Sequence, residues 1–472
     1  MEPIRKLHFI GIGGYGMSAL ARIFLARGAA VSGSDLKHKP ITEALAREGA
    51  QVWIGHNVAN VPSDAVVVYS SDVPADNVEL AVARSRGQVV MHRAELLARL
   101  VNDARGVAVA GSHGKTTTTG MIGCALTAAG WDPTVVIGGE LVAGGTNARA
   151  GRSPYVIAEA DESDRSFLRY RPYVSVITNI EPDHLENYGG DFQAMRDAFR
   201  IFAEQTKPGG AVVVGVDDDE ARTLAEALFK PPDDLDVAPP RLITFAVDRP
   251  ADVTARDIEI KDGRAAFTLV LHGDVAGRVE LQVIGRHHVY NALASAGALS
   301  ALGLTAPQIV AGLGRFRGTK RRFEFLGEAD GALVVDDYAV HPTEIRATLA
   351  AARALGRRVI AVFQPHRMAR VYYLREAFAE AFGDADLVFV GAVYTPRGDR
   401  APEAVDAAAL AQEIARRSGR RTTYIEDQTA LYDALLHTVQ PGDLVITLGA
   451  GDIRAIGEAL VQRRQGQPRA EN

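Results

Sequence analysis

Cysteine is nearly missing from this chain: Cys124 is the only one in 472 residues. That excludes an intrachain disulfide and any metal site built from several thiolates. Cys124 falls in a helix-like run and reads as a packed core thiol. No stretch reaches the ~18 uninterrupted apolar residues that a membrane span needs. The opening MEPIRKLHFIGIGG carries no apolar leader segment. The cytoplasm is therefore the expected compartment. Charge of one sign is lacking too. A net charge of -6 gives no basic field for nucleic acid or an anionic membrane, and neither is an expected partner. Short-period repeats, low-complexity tracts and heptads are absent. What is present is an ordinary globular composition, 47% hydrophobic and 23% charged. At ~150 residues per domain, the length suits about three domains.

The most informative stretch is VAVAGSHGKTTTT, residues 107–119. Four small or β-branched residues read as a buried strand, and a helix-like run follows over 118–129. Between them lie Gly111, Ser112, His113, Gly114, Lys115, Thr116 and Thr117. Strand, glycine loop, Lys-Thr and helix form a phosphate cradle. Glycines let backbone N–H groups turn inward, and the helix N-terminus adds positive potential. Lys115 suits the β/γ-phosphates, and the Thr116 hydroxyl suits Mg2+. The spacing is shorter than the usual G-x-x-x-x-G-K-[ST], since two residues separate Gly111 from Gly114.

Upstream, strand-like 7–10 leads into Gly11, Gly13, Gly14 and Gly16, and a helix pattern follows over 17–27. Further strands are read over 29–34, 52–54, 65–70 and 88–91, with helices over 41–48 and 77–85. The alternation argues a parallel, Rossmann-like sheet for residues 1–105. The glycines fit G-x-G-x-x-G, and Asp35 lies 19 residues past Gly16. Alone this predicts NAD, with Asp35 on a ribose hydroxyl. The motif's physics is diphosphate binding, however, and a UDP-sugar carries the same diphosphate.

A central domain, residues 106–314, continues after the phosphate loop. Strand-like 155–158 delivers Glu159, Asp161, Glu162 and Asp164, and a second strand over 174–178 ends in Glu181, Asp183 and His184. Open α/β sheets place ligands at this strand edge. Carboxylates with a histidine there suit a divalent metal beside ATP. Asp217 to Glu220 read as capping and first-turn acids. Residues 230–240 read as a loop, and 241–283 as short β-runs, a small extra β-element. Next comes a small-residue helix that starts near His287 and Asn291. These two could meet an adenine edge, or could simply cap the helix.

Residues 315–472 form a third domain, entered through a basic hinge at 316–323. Strands are read over 332–336, 359–363, 387–390 and 444–448, with helices over 343–351 and 371–381: a second doubly wound, Rossmann-like sheet. Polar residues gather after its strands, among them Asp336, Asp337, Tyr338, His341, His366, Arg367 and Arg370. Such arginines could fork onto a carboxylate. The tail over 463–472 reads as polar and frayed.

HFIGIGGYGMSALA, GSHGKTTTT, AEADESDRSFL, TNIEPDHLENY, GRHHVYNALA, RRFE, DDYAVHPTEI, FQPHRMAR and GAGDI follow in this order. Together they resemble the Mur ligase family across essentially the whole chain. The resemblance implies three domains that bind UDP-sugar, ATP and amino acid. It implies ATP-dependent amide-bond formation between UDP-N-acetylmuramate and L-alanine through an acyl phosphate. That step belongs to peptidoglycan precursor synthesis, and through cell-wall biogenesis it bears on cell shape and division. ATP and Mg2+ (or Mn2+) are the implied cofactors, and a monomer or weak homodimer the implied state. By resemblance, Lys115, Glu159 and His184 are catalytic, with Thr116, Glu159 and His184 on metal. Gly111 to Thr117, His287, Asn291, Arg322, Asp336 and Asp337 would meet ATP. Gly11, Gly13, Gly14, Gly16, Met17, Ser18, Asp35, Ser70, Ser71 and Arg93 would hold the UDP-sugar. Tyr338, His341, Arg367 and Arg370 would meet the amino acid. The chain departs from the family pattern at Val340 and His288, in place of a histidine and an asparagine, and at Ser112, in place of a threonine. A tripeptide-recycling ligase, an NAD-dependent oxidoreductase and a regulator without catalysis remain open alternatives.

Overall fold

A computed structural model describes residues 4–142, 146–228, 239–396, 399, 401 and 403–463. Most of the loop read over 230–240, and the tail beyond Arg463, lie outside the described residues. The fold is α/β in three sheets. The first contains β1 (Lys6–Ile10), β2 (Ala30–Asp35), β3 (Gln51–Ile54), β4 (Val66–Tyr69) and β5 (Val90–His92), ordered β3-β2-β1-β4-β5. Every neighbour pair is parallel. The order reverses between β1 and β4, and the glycine loop leaves β1 at that switch point.

The central sheet contains β6 (Arg105–Ala110), β7 (Thr134–Val136), β8 (Ala148–Arg149), β9 (Tyr155–Glu159), β10 (Val174–Ile177), β11 (Ala211–Gly215), β12 (Arg241–Ala246), β13 (Val253–Lys261), β14 (Arg264–Leu271) and β15 (Asp274–Ile284). Its order is β15-β14-β13-β12-β11-β10-β6-β9-β7-β8. Apart from the edge strand β8, the strands from β7 to β12 run parallel, and β6, β10 and β11 are almost wholly buried. Burial on both faces explains their continuous Val/Ala/Ile runs. The short β-runs read over 241–283 are β12 to β15, and they extend the central sheet. The first of them, β12, lies in parallel register with β11 from Ala211↔Arg241 onward.

The third sheet contains β16 (Glu324–Ala329), β17 (Ala332–Asp337), β18 (Val359–Phe363), β19 (Leu387–Val390), β20 (Arg421–Tyr424) and β21 (Leu444–Leu448), ordered β16-β17-β21-β18-β19-β20. It is not purely doubly wound, because β16 runs antiparallel to β17. The turn between them is Asp330-Gly331, with φ of 48° and 81°. Positive φ at both positions suits a tight hairpin whose twist matches the strands. The expected helix over 371–381 is broken into Met368–Tyr373 and Arg375–Ala379, with Leu374 at φ -113°, ψ 18°. Helix Arg93–Asn102 is absent from the sequence reading, although Leu96, Leu97, Leu100 and Val101 recur at helical spacing; its histidine N-cap is an unusual start.

Contacts divide the chain into two compact units: residues 1–256, 268–279 and 290–317, and residues 257–267, 280–289 and 318–472. Within the first unit, the N-terminal and central sheets share one core that runs from Leu7 and Phe9 to Ala108, Phe199 and Val214. Asn147, 2% exposed, joins them. Its Nδ2 donates to Tyr15 O at 2.5 Å and Ser18 Oγ at 3.4 Å, and its Oδ1 accepts from Arg22 at 3.3 Å. Among the described residues, no helix is long and apolar enough to cross a membrane. Asn147→Ala leaves buried polar atoms unpaired. It should cost about 1–3 kcal/mol, read as a lower urea midpoint at unchanged m-value.

Candidate functional site

Three parallel strand ends build the phosphate loop. β6 pairs with β9 on one side and β10 on the other, so their carboxyl ends come out side by side. Gly111, at φ 132°, leaves β6 where a Cβ would overlap Thr178 Oγ1. Gly114, at φ 83°, caps helix Lys115–Ala128 where a Cβ would overlap the Asn291 amide. Both positions therefore demand glycine. Residues after β10 clamp the loop. His113 N donates to Asn179 Oδ1 at 2.8 Å, and Thr178 Oγ1 donates to His113 O at 2.6 Å. Ser112 Oγ donates to Glu181 O at 3.0 Å and accepts from Glu181 N at 2.8 Å. Serine at 112 thus keeps the hydroxyl chemistry of threonine.

Lys115 Nζ donates to Gly111 O at 2.5 Å, Ser112 O at 3.3 Å and Glu162 Oε1 at 2.7 Å. Burial alone would lower its pKa, but Glu162, Asp161 and Glu159 together hold it above the ordinary lysine value. Burial pushes Glu162 up to about 7, against the pull of Lys115. Burial also opposes charge on Asp161, but Lys115 and the Ser163 N–H, 2.9 Å away, keep its carboxyl below the usual range.

Thr116 and Glu159 flank one turn, Gly138-Gly139. Gly138 N donates to Glu159 Oε1 at 2.5 Å, and a Cβ on Gly139 would rest 3.4 Å from Thr116 Cγ2. A hydroxyl and a carboxylate around one glycine turn are hard oxygen donors that fit Mg2+. His184 follows β10 in a left-handed conformation, φ 53°. Its Nε2 lies 3.5 Å from Asp183 and its Nδ1 3.6 Å from Glu186. It acts on the Asp161 carboxyl, so it belongs to the same neighbourhood. Further on, Asp218 caps helix Asp219–Leu228, accepting from Ala221 N at 2.8 Å, while Asp217 accepts from Val247 N. Cys124 is half-buried, and burial raises its thiol pKa.

In the N-terminal sheet, Gly11 takes φ 78° and Gly14 N closes the turn onto Gly11 O at 3.0 Å. Arg93 stacks so closely on Gly16 that a Cβ would meet Nη1 at 2.7 Å. Asp35 braces the loop itself, accepting from Gly13 N at 3.0 Å, Lys37 N at 3.1 Å and Lys39 Nζ at 3.3 Å. Met17 and Ser18 are buried, and Ser18 Oγ donates to Tyr15 O at 2.8 Å. Ser71 Oγ pairs with His92 Nε2 at 3.1 Å, and the Ser70 carbonyl accepts from Val73 N at 3.0 Å.

In the second unit, neighbouring carboxylates of β17 part ways. Asp336 is fully buried and accepts from Arg321 Nε and Arg454 Nη1, both at 3.1 Å, and from Thr447 Oγ1 at 2.7 Å. Its oxygens serve the fold. Asp337 accepts from Phe323 N and Ala339 N, each at 2.8 Å, and burial raises it to about 6 although Arg322 opposes the shift. Arg321 and Arg322 lie 5.1 and 5.4 Å from the Tyr338 ring, within cation–π range. His341 caps helix Pro342–Arg353, accepting from Thr343 N at 3.3 Å; the Val340 N–H donates to Glu344 Oε2 at 3.0 Å. Arg367 sits at φ 71°, its Nε 3.8 Å from Asp399 Oδ1, and buried Arg370 contacts His366 Nδ1 at 3.3 Å. The His287 and His288 rings lie 4.1 Å apart, tilted by 47°. Burial, reinforced by Arg322, lowers His287 to about 4, and burial holds His288 well below its usual value.

Family models match in three consecutive pieces. Residues 6–105 fit the Mur ligase family, catalytic domain; 109–299 the Mur ligase middle domain; and 321–451 the Mur ligase, glutamate ligase domain. The chain belongs to the Mur ligase family. It is similar to the UDP-N-acetylmuramate–L-alanine ligase of Symbiobacterium thermophilum, at 47% identity over 99% of this chain and 96% of that one. It is similar to the same-named protein of Pelotomaculum thermopropionicum, at 43% over 98% of each. Among solved structures it resembles the UDP-N-acetylmuramate–alanine ligase of Thermotoga maritima, with TM-score 0.78 and 29% identity, over 98% of this chain and 99% of that one.

Several residues of this Mur ligase's site escape a sequence reading. Gly138-Gly139 lies in a short loop with no motif of its own. Thr178 and Asn179 read as a strand end, and only the register of β6 against β10 makes them the loop's clamp. Glu162 reads as one acid among several until its contact with Lys115 is seen. The neutral imidazole of His287 carries a measurable consequence. Unfolded, it titrates near ~6.5, so the unfolded chain binds a proton that the folded chain refuses. Stability should be complete above that value and fall as pH drops toward about 4. His287→Asn should flatten this part of a urea-unfolding series in pH.

Proposed function

We propose that this Mur ligase uses ATP to join L-alanine to the carboxylate of UDP-N-acetylmuramate, a step of peptidoglycan precursor synthesis. It is an ATP-dependent ligase. The observation that carries the reading is Lys115, an ammonium held at a glycine loop and helix N-terminus among the acids that end β9. In this reading residues 1–105 bind the UDP-sugar, 106–314 bind ATP and 315–472 bind the amino acid. The muramoyl carboxylate attacks the γ-phosphorus and ADP leaves. The L-alanine amine then attacks the acyl phosphate, and the tetrahedral intermediate expels phosphate.

Phosphoryl transfer asks the protein mainly for position and charge. Lys115 neutralises the moving phosphoryl group, and the N–H groups from Gly114 onward face the phosphates. Thr116, Glu159 and His184 would hold Mg2+ or Mn2+, which when bound supplies further neutralisation of phosphate charge. Asn291, packed against Gly114, and His287 one helical turn before it are assigned to the adenine side. Arg322 and Asp337 are assigned to the nucleotide, with Asp336 as the buried support of that strand end. Tyr338, His341, Arg367 and Arg370 are assigned to L-alanine. Gly11 to Ser18 offer backbone N–H groups to the UDP diphosphate, with Asp35 bracing them and Ser70, Ser71 and Arg93 nearby in sequence or contact. The chain acts in the cytoplasm as a monomer or weak homodimer.

A tripeptide ligase and an NAD-dependent oxidoreductase are not favoured. A relative matched over 96% of its length at 47% identity is named for L-alanine, and Asp35 is turned onto Gly13 N. Phosphate release from ATP should require UDP-N-acetylmuramate and L-alanine together, with a tripeptide inactive in place of L-alanine. Lys115→Ala should lower that release by roughly a thousandfold or more, while UDP-sugar affinity, measured by calorimetry, stays within about twofold. Equal loss of both would reject the domain assignment.

A further inference from the structure

An ammonium has three protons. Those of Lys115 point to Gly111 O, Ser112 O and Glu162 Oε1, so none is left over for a phosphate oxygen. One contact must be given up before Lys115 can neutralise a triphosphate. The two carbonyls belong to the loop, which Thr178, Asn179 and Glu181 clamp from the next strand. They move only if the loop moves. The third partner is a side chain on a different strand end, and it is itself an anion. Its charge is what a phosphate would replace.

Glu162 is placed for such an exchange. It is 2% exposed, and its second oxygen, Oε2, is buried without a hydrogen-bond partner. A buried carboxylate normally has both oxygens satisfied, so this one is held by a single strong contact. Its backbone is fixed, since Tyr188 Oη donates to Glu162 O at 2.7 Å. The side chain can therefore release Lys115 without disturbing the strand end. Glu159 and Asp161 also act on Lys115, so carboxylates outnumber the cation, and a triphosphate entering beside a paired Glu162 would meet net repulsion.

We propose that Glu162 is a positioning residue that keeps Lys115 folded onto the phosphate loop and yields it to the terminal phosphate of the nucleotide, so that one anion replaces another. This rests on the reading of the loop as the ATP site and adds to it a source of discrimination between triphosphate and diphosphate. The nucleotide with more phosphate charge at the lysine displaces Glu162 more readily.

The test is calorimetric titration of ATP, ADP and adenosine into the full chain and its Glu162→Gln variant, with thermal melting to verify folding. Removing the competing charge should tighten ATP by about fivefold or more, tighten ADP less and leave adenosine unchanged. A merely structural role would shift all three alike. An unchanged or lowered preference for ATP over ADP would overturn the proposal. Should Glu162→Gln not fold, a crystal structure of the wild type with a non-hydrolysable ATP analogue decides. Lys115 Nζ should lie beyond hydrogen-bond reach of Glu162, and a retained contact would overturn the exchange. Wild-type protein that binds neither ATP nor ADP would instead reject the underlying assignment of the loop.

Discussion

The parallel register of β9, β6 and β10 is the constraint on which the rest depends. Val109 faces Glu159 across one ladder, and Ala110 faces Ile177 across the other. Those pairings place three chain reversals side by side: the glycine loop, the acidic segment after β9, and Thr178 to His184 after β10. Because side chains alternate along a strand, a slip of one residue would turn Glu159 to the opposite face. It would also part Thr178 and Asn179 from the loop carbonyls and amides they bind. The buried Val, Ala and Ile of these strands prevent such a slip, since both faces of the sheet are packed. The core thus sets the geometry of a site in which hardly any of its own atoms take part.

Charge around that site is arranged by burial as much as by pairing. Lys115 is one cation among several carboxylates, and they differ because their surroundings differ. Asp161 receives a backbone N–H and stays ionised readily, whereas Glu162 has one oxygen on Lys115 and one with no partner. The same logic separates Asp336 from Asp337. Adjacent positions on β17 point to opposite faces, so one carboxylate meets Arg321 and Arg454 and the other meets backbone amides beside Tyr338.

Much of this was legible in the sequence. Strand-loop-helix around Gly111 to Thr117, the alternation before Asn102 and the acids after β9 follow from short-range patterns: apolar runs, glycine spacing and turn residues. The parts left out of that reading differ in cause. The Asp330-Gly331 turn was a local hairpin cue, overlooked inside an otherwise βα pattern, and it makes β16 antiparallel. The spacing of Asp35 suggests a ribose contact; that its carboxylate also accepts from Gly13 N is a contact spacing does not reveal. Met17 and Ser18 stand in a motif that resembles a ligand loop, and the structure adds that their side chains are buried.

By itself the sequence determined which residue types could do chemistry and on what kind of element each would stand, because apolar periodicity and glycine spacing are properties of neighbours along the chain. Partner choice was decided only in three dimensions. Which acid holds Lys115, which of two adjacent aspartates is spent on arginines, and which residues clamp the phosphate loop all depend on groups brought together from distant positions. Contacts of that kind arise from sheet order and register, which no local stretch of the chain encodes.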